Sequence, residues 1–155
     1  MGNFEIISER DFMKARKKIR ELKKLGKSVV FSGESDDINR NVIEKEDVDV
    51  LLLNLSGKKD RQKQRESGFN HVLARIAKKR NVKIGINLDE IILSGKSEKA
   101  RILSRVIQNV KLCSKNKVGM EFFSINKACE RNIYDLKALG SVLGMPTWMT
   151  KNLGK

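Results

Sequence analysis

Short apolar runs alternate along this chain with longer stretches in which apolar residues recur every three or four positions. Five of the runs are short and rich in β-branched or aromatic residues, which is typical of strands. They cover residues 4–8, 28–32, 48–55, 82–87 and 119–124, and a weaker sixth run covers residues 146–149. The nearly continuous apolar character of residues 48–53 favours a strand that is covered on both faces.

Helical periodicity fills the intervals between these runs. It predicts helices over residues 10–25, 35–45, 67–80, 97–115 and 132–143. Gly26 is expected to end the first helix, and Ser35 is expected to cap the second. Alternating strands and helices predict an α/β fold with a parallel sheet in a single domain over residues 1–155. A closed eight-stranded barrel takes about 250 residues, so a barrel relative of this length would be reduced or incomplete.

Positive charge is concentrated in two parts of the chain. Residues 57–83 carry ten Lys or Arg against two acidic residues, and residues 95–117 carry seven against one. These two segments therefore account for the whole net charge of +14. Such concentration indicates a surface for a polyanion, whereas the alternative is a pair of solvated helix faces.

Ligands of parallel α/β proteins bind in the loops that follow the strands. The predicted loops are 32–35, 55–66, 87–96 and 124–132, and the second is the longest. Its donor-rich side chains suit phosphate oxygens, although a disordered, solvated loop is the alternative. The predicted RNA contacts in and near the two basic segments are Lys58, Lys59, Arg61, Lys63, Arg65, Arg75 and Lys96. His71 lies opposite the apolar face of its predicted helix and could contact RNA or a partner, or simply be exposed.

Catalytic chemistry has little support in the sequence. The chain has one His, and it has neither a nucleophile elbow nor a phosphate-binding glycine loop. The loop carboxylates could hold Mg²⁺, but they are also ordinary first-turn residues: Glu34, Asp36, Asp37, Asp89 and Glu90. We therefore predict no catalytic residue, no metal ligand and no protein-bound cofactor, with a carboxylate–metal hydrolase as the alternative.

Aromatic content, cysteines and hydropathy allow three further predictions. Aromatic residues make up 5% of the chain, so recognition of RNA by backbone and shape is favoured over base stacking. Cys113 and Cys129 are expected to be buried free thiols rather than a disulfide. The sequence shows neither a secretion signal nor an apolar run of about 18 residues, so we predict a cytoplasmic protein with no membrane contact.

Residues 67–75, with the sequence SGFNHVLAR, resemble a segment of the family of ribonuclease P protein component three. This family is found in archaea and has a eukaryotic counterpart shared by RNase P and RNase MRP. The similarity continues through residues 82–88, 100–101 and 108–113 and resumes between Arg131 and Met145. It covers roughly residues 28–147.

The resemblance implies a TIM-barrel-like fold related to polymerase-and-histidinol-phosphatase hydrolases without their metal ligands. It also implies a subunit of an endoribonuclease holoenzyme that removes the 5′ leader of precursor tRNA, with catalysis and Mg²⁺ belonging to the RNA. The expected partners are RNase P RNA, protein component two in a heterodimer or heterotetramer, and precursor tRNA indirectly. Carried over by position, the RNA contacts are Arg61 or Arg65, Arg101 and Arg131. Typical members have a further strand–helix unit before Phe4, which this chain is expected to lack. A general ribosomal RNA-binding accessory protein is another alternative.

Overall fold

The computed structural model describes residues 4–63 and 65–155. Five strands alternate with helices in the described part of the chain. The strands are β1 (Phe4–Glu9), β2 (Ser28–Gly33), β3 (Val50–Leu53), β4 (Lys83–Asn87) and β5 (Met120–Phe123). The helices are α1 (Phe12–Lys24), α2 (Asp36–Lys45), α3 (His71–Arg80), α4 (Leu88–Leu93), α5 (Lys96–Asn116), α6 (Ile133–Val142) and α7 (Thr147–Lys151), with a 3₁₀ turn at Lys127–Cys129.

The sheet confirms the predicted parallel α/β architecture. Its strands lie side by side in chain order, β1 to β5, and every neighbouring pair is parallel. Each crossover therefore adds the next strand on the same side, which is the winding of a β/α barrel. The carboxyl ends of all five strands consequently meet at one edge, called here the loop edge.

Alternate strand residues face two different layers. Phe31, Leu51 and Ile84 point to the helices and belong to the main apolar core, where all three are fully buried. Val30 and Leu52 point to the opposite face and join a small second cluster with Val50. This separation follows from the twofold repeat of a strand, and it makes the inner face of the sheet a second, smaller core.

The inner face is closed by a contact between the two edge strands. The rings of Phe4 in β1 and Phe123 in β5 meet edge to face, with centroids 5.5 Å apart. β1 and β5 are at opposite ends of the strand order and share no hydrogen-bonded ladder among the described residues. The sheet is therefore strongly curved, but its barrel is incomplete.

Three local predictions needed correction. Residues 146–149 do not form a strand, because Thr147 begins α7. The loop predicted over residues 87–96 contains α4. The helix predicted from residue 67 begins only at His71, since Gly68 has a φ of +67° and the side chain of Asn70 caps the helix by accepting from the N–H of Leu73.

Other predictions are confirmed. Ser35 caps α2 through the N–H of Ile38, and Gly26 ends α1 with a φ of +71°. Cys113 and Cys129 are both buried and free. Within the described residues, none of the helices is long and apolar enough to cross a membrane.

Candidate nucleic-acid interface

The connection between β3 and α3 is the longest in the described chain and contains the predicted RNA-binding loop, residues 55–66. Four polar side chains of α4 and α5 hold this loop at the loop edge of the sheet. They are Glu90 of α4 and Glu98, Arg105 and Gln108 of α5. The described residues of the loop are therefore held by contacts across 34 to 50 residues of sequence.

Arg105 is the central one of these contacts. Its side chain is 1% exposed, and Nη1 donates to the carbonyl of Leu55 over 2.8 Å. Nη2 donates to the carbonyl of Lys58 over 2.6 Å, while Nε and Nη2 both donate to Oδ1 of Asp60. The charge count over residues 95–117 treats Arg105 as a surface cation, and the structure corrects this because the guanidinium is buried under the loop.

The acidic side chains bind the opposite groups of the same loop. Glu90 accepts from the N–H of Leu55 over 2.8 Å and from the N–H of Ser56 over 3.3 Å. Glu98 accepts from the N–H of Gly57 over 2.9 Å. Burial raises the pKa of Glu90, although the two N–H groups oppose this shift. Backbone donors and acceptors of the first loop residues are thus both satisfied by charged side chains.

Asp60 and Gln108 hold the last residues of the loop, Arg65 and Glu66. Asp60 accepts from the N–H of Glu66 over 2.9 Å, and the amide of Gln108 donates to the carbonyl of Arg65 over 3.1 Å. The N–H of Glu66 and, against the opposing effect of burial, the guanidinium of Arg105 hold the pKa of Asp60 below its ordinary value. Asp60 therefore remains ionised at neutral pH and bridges the two halves of the loop.

The loop presents most of the predicted basic side chains to solvent. Lys59, Arg61, Lys63 and Arg65 are exposed, whereas Lys58 is half-buried. Several of these charges have an acidic neighbour: Lys58–Asp36 at 3.6 Å, Arg61–Glu66 at 3.1 Å and Arg65–Asp60 at 3.8 Å. Exposed pairs of this kind contribute at most about 1 kcal/mol, so phosphate groups can compete for the basic partners.

The other predicted residues of α3 and α5 are exposed. His71 is the exposed first residue of α3, Arg101 is exposed on α5 beside Glu98, and Lys96 is the exposed first residue of α5. Arg75 lies on the exposed side of α3. A cleft of about 450 Å³ separates the loop from α2, and His71, Arg61, Arg65 and Gln108 line it together with Asp36, Asp37 and Arg40.

Arg131 is the predicted residue that lies apart from the others. It belongs to the connection after β5, where Nη1 donates to the carbonyls of Ala128 and Glu130. Asp89 of α4 fixes the start of this connection by accepting from the N–H groups of Ile125 and Asn126. β4 and α4 therefore stand between Arg131 and the loop that carries Arg61.

The two basic segments extend beyond the loop edge. α3 and α5 pack against each other and both run away from this edge, so Lys78, Lys79 and Arg80 in the last turn of α3 lie at the far end of the sheet. Lys115 is likewise in the last turn of α5. The positive charge thus extends along two adjoining helices. Only the charges near the loop edge belong to the candidate interface.

The centre of the loop edge is polar and uncharged. The amide of Asn54 donates to the hydroxyl of Ser32 over 2.9 Å, and the amide of Asn87 donates to Oδ1 of Asn54 over 3.3 Å. These residues occupy the positions where β/α enzymes carry reactive groups. Hydroxyl and amide side chains bonded to one another offer hydrogen bonds but no charged base.

Four of the five loop carboxylates considered as metal ligands have other partners, and the pair of Asp36 with Lys58 is described above. Glu34 pairs with Arg10, Glu90 binds backbone N–H groups and Asp89 holds the connection after β5. In residues 4–63 and 65–155, no three His, Cys, Asp or Glu side chains come together in a group that could hold a metal ion.

Sequence reasoning missed the residues that hold the loop, namely Glu90, Glu98, Arg105 and Gln108. A signal for one of them existed. Arg105 lies three residues after Ile102 and one before Val106, on the apolar face of α5, and Asn109 follows four residues later. A charged residue on a buried stripe requires partners, but the pattern alone could not identify them.

The sequence matches the family model described as RNase P subunit p30 over residues 6–153. It is 32% identical over 138 residues to ribonuclease P protein component 3 of Methanocaldococcus jannaschii. The aligned region covers 88% of this chain and 57% of that relative. The component 3 of Methanothermobacter thermautotrophicus is 29% identical over 150 residues, covering 94% of this chain and 57% of the relative. The chain therefore spans somewhat more than half the length of these relatives.

Two solved structures are similar in fold. A chain in the cryo-EM structure of archaeal ribonuclease P with mature tRNA has a TM-score of 0.77 and 28% identity, and the match covers 96% of this chain and 62% of that one. The deoxyribose phosphate aldolase of Aeropyrum pernix has a TM-score of 0.52 at 12% identity and covers 92% of this chain and 60% of the aldolase. The second likeness concerns the fold alone and agrees with the barrel-like winding of the sheet.

Proposed function

This chain belongs to the family of RNase P subunit p30, and we propose that it acts as a protein subunit of ribonuclease P. In this role it binds and stabilises the RNA that removes the 5′ leader from precursor tRNA. The observation that carries the proposal is the basic loop of residues 55–66, which α5 holds in place at the edge where β/α proteins bind their ligands. Its exposed Lys and Arg side chains suit the phosphates of a folded RNA.

We propose that catalysis belongs to the RNA and its Mg²⁺ ions. At the centre of the loop edge lie the uncharged, hydrogen-bonded side chains of Ser32, Asn54 and Asn87. They support this assignment, because general acid–base chemistry needs a titratable group. Protein component two is the proposed protein partner, and precursor tRNA is contacted indirectly. Such a complex would work in the cytoplasm, which cell fractionation with an antibody to this chain would test.

Reconstitution tests the proposal. RNase P RNA of Methanocaldococcus jannaschii and its other protein subunits would be assayed for precursor-tRNA cleavage at low Mg²⁺, with and without this chain. We expect the chain to raise the cleavage rate and to bind RNase P RNA in preference to ribosomal RNA. Equal binding to ribosomal RNA would favour a general accessory protein, and hydrolysis without RNA in the presence of a divalent metal would favour the hydrolase alternative.

A matched pair of triple variants connects the activity to the loop. Replacing Lys59, Arg61 and Lys63 with Ala should reduce the slope of log K against log salt by about 0.7–0.9 for each phosphate that the variant no longer binds. The control replaces Lys14, Lys17 and Lys24, three exposed residues of α1, with Ala. If both variants showed the same slope as the unmodified chain, the loop would not be the RNA contact.

A further inference from the structure

We propose that Arg105 is a positioning residue that fixes the RNA-binding loop in its binding conformation without touching RNA itself. The proposal rests on the proposed function for the nature of the ligand. Arg105 is 1% exposed, so its guanidinium cannot reach a phosphate while the loop covers it. Its effect on RNA binding must therefore pass through the residues that it holds.

The contacts of Arg105 are spread along the first half of the loop. The guanidinium binds the carbonyl of Leu55, the carbonyl of Lys58 and the carboxylate of Asp60 at distances of 2.6–3.2 Å. Three fixed points in six residues leave that part of the backbone little freedom. A planar group with five N–H donors in a fixed fork can hold them together, whereas a Lys ammonium is a point charge on a flexible stem.

Two of the exposed cations are neighbours of these fixed points. Lys59 lies between Lys58, whose carbonyl is bound, and Asp60, whose carboxylate is bound. Arg61 follows Asp60 directly. Fixing the backbone on both sides of Lys59 limits the directions that its side chain can take. The same contacts therefore determine where the loop presents positive charge.

Stability of the fold is a weaker explanation for this arrangement. Burying a charge is costly even when it is paired, and apolar residues of similar volume often replace buried ion pairs without loss of stability. An apolar side chain could fill the space under the loop, but it could not bind two carbonyls and a carboxylate. What Arg105 adds is one defined loop conformation, which lowers the entropic cost of binding RNA.

Hydrogen exchange in the RNA-free protein tests the positioning role directly. In Arg105→Met, amide exchange of residues 55–66 should accelerate, including the N–H groups bound by Glu90, Glu98 and Asp60, while exchange in the five strands stays unchanged. Unchanged exchange in the loop of the folded variant would overturn the proposal. Because this measurement needs no RNA, its result does not depend on the proposed function.

RNA binding tests the consequence. With RNase P RNA of Methanocaldococcus jannaschii as the probe, Arg105→Met should raise the Kd about tenfold or more at low salt. The slope of log K against log salt should stay that of the unmodified chain, since all phosphate-binding side chains remain. A lower slope would make Arg105 a direct contact, and an unchanged Kd would make it purely structural. Either result would overturn the proposal.

Conservative variants separate geometry from charge. Arg105→Lys keeps the charge and should recover only part of the affinity and of the exchange protection. Asp60→Asn keeps Arg105 but removes the negative charge of its ionic partner. This variant should also accelerate amide exchange in the loop. Full affinity in Arg105→Lys would show that charge alone matters and would overturn the proposal.

Lys17→Met on α1 is the control for loss of a positive charge and should bind RNA as the unmodified chain does. If Arg105→Met does not fold, Arg105→Lys and Asp60→Asn decide the question. Normal loop protection in both would then overturn the proposal. If the unmodified chain did not bind RNase P RNA at all, the proposed function would fail while the exchange results would still report on Arg105.

Discussion

The hydroxyl of Ser124 donates to Oδ1 of Asp89 over 2.7 Å and thereby joins the connection after β5 to the first turn of α4. Burial alone would raise the pKa of Asp89, but Ser124 and the N–H groups of Asn126 and Ile125 outweigh it and hold the pKa below its ordinary value. The ionised carboxylate is therefore the form that the folded protein prefers.

This preference predicts a pH dependence of stability. A pKa that is lower in the folded state contributes stability above the unfolded value of about 3.9, and this contribution is lost as the pH falls through the folded value. Asp89→Asn should lower the free energy of unfolding by about 1–2 kcal/mol at pH 7, with a smaller difference below about pH 4. Urea unfolding between pH 3 and 7 measures both effects. The control is Asp37→Asn, which changes an exposed aspartate in the first turn of α2, and equal losses in the two variants would contradict the assignment.

The ion pairs of Glu46, which directly follows α2, with two arginines of α1 predict that replacing Glu46 destabilises the fold. Its carboxylate is 3% exposed, and its oxygens lie 2.9 Å from Nε of Arg20 and 3.0 Å from Nε of Arg16. Glu46→Gln should lower the free energy of unfolding by about 2 kcal/mol, less than for a wholly buried pair because both arginines are partly exposed. Thermal or urea unfolding at pH 7 measures it. Asp47→Asn, which changes the exposed neighbour, should stay within about 0.5 kcal/mol, and a similar loss there would contradict the prediction.

The contact between Phe4 and Phe123 predicts coupling between the two edge strands. Either Phe→Ala change should destabilise the fold, and the double variant should lose less than the sum of the single ones. We expect a coupling energy of about 0.5–1.5 kcal/mol from the edge-to-face pair. A double-mutant cycle by urea unfolding measures it. Strict additivity would mean that the two edges do not support each other in solution.

Local patterns predicted the elements that depend on near neighbours in sequence. The apolar runs identified all five strands, and Gly26 and Ser35 marked helix boundaries because a turn or a cap involves residues only two to four positions apart. The pattern at residues 146–149 wrongly predicts a strand, because periodicity cannot separate short strands from short buried helices. Gly68 and Asn70 shortened α3 through a left-handed turn and a cap inside an otherwise helical pattern.

The candidate interface was predicted only in part. The density of Lys and Arg between residues 58 and 65 identified the loop without any contact information. The partners that hold it could not be found in this way, since Leu55 and Arg105 meet across 50 residues and Leu55 and Glu90 across 35. The charge count includes Arg105 among the surface cations because it depends on residue types alone and contains no information on burial.

The sequence by itself determined the alternating elements, the parallel α/β class, the concentration of positive charge and the resemblance to the family. These properties depend on residue type and on spacings of two to four positions, which any chain displays before it folds. Only the tertiary structure decided that Arg105 lies under the loop, that Arg131 lies apart from Arg61 and that Phe4 meets Phe123. Such pairs form because the order of the strands and the packing of α5 bring distant residues together, and no local pattern contains that information.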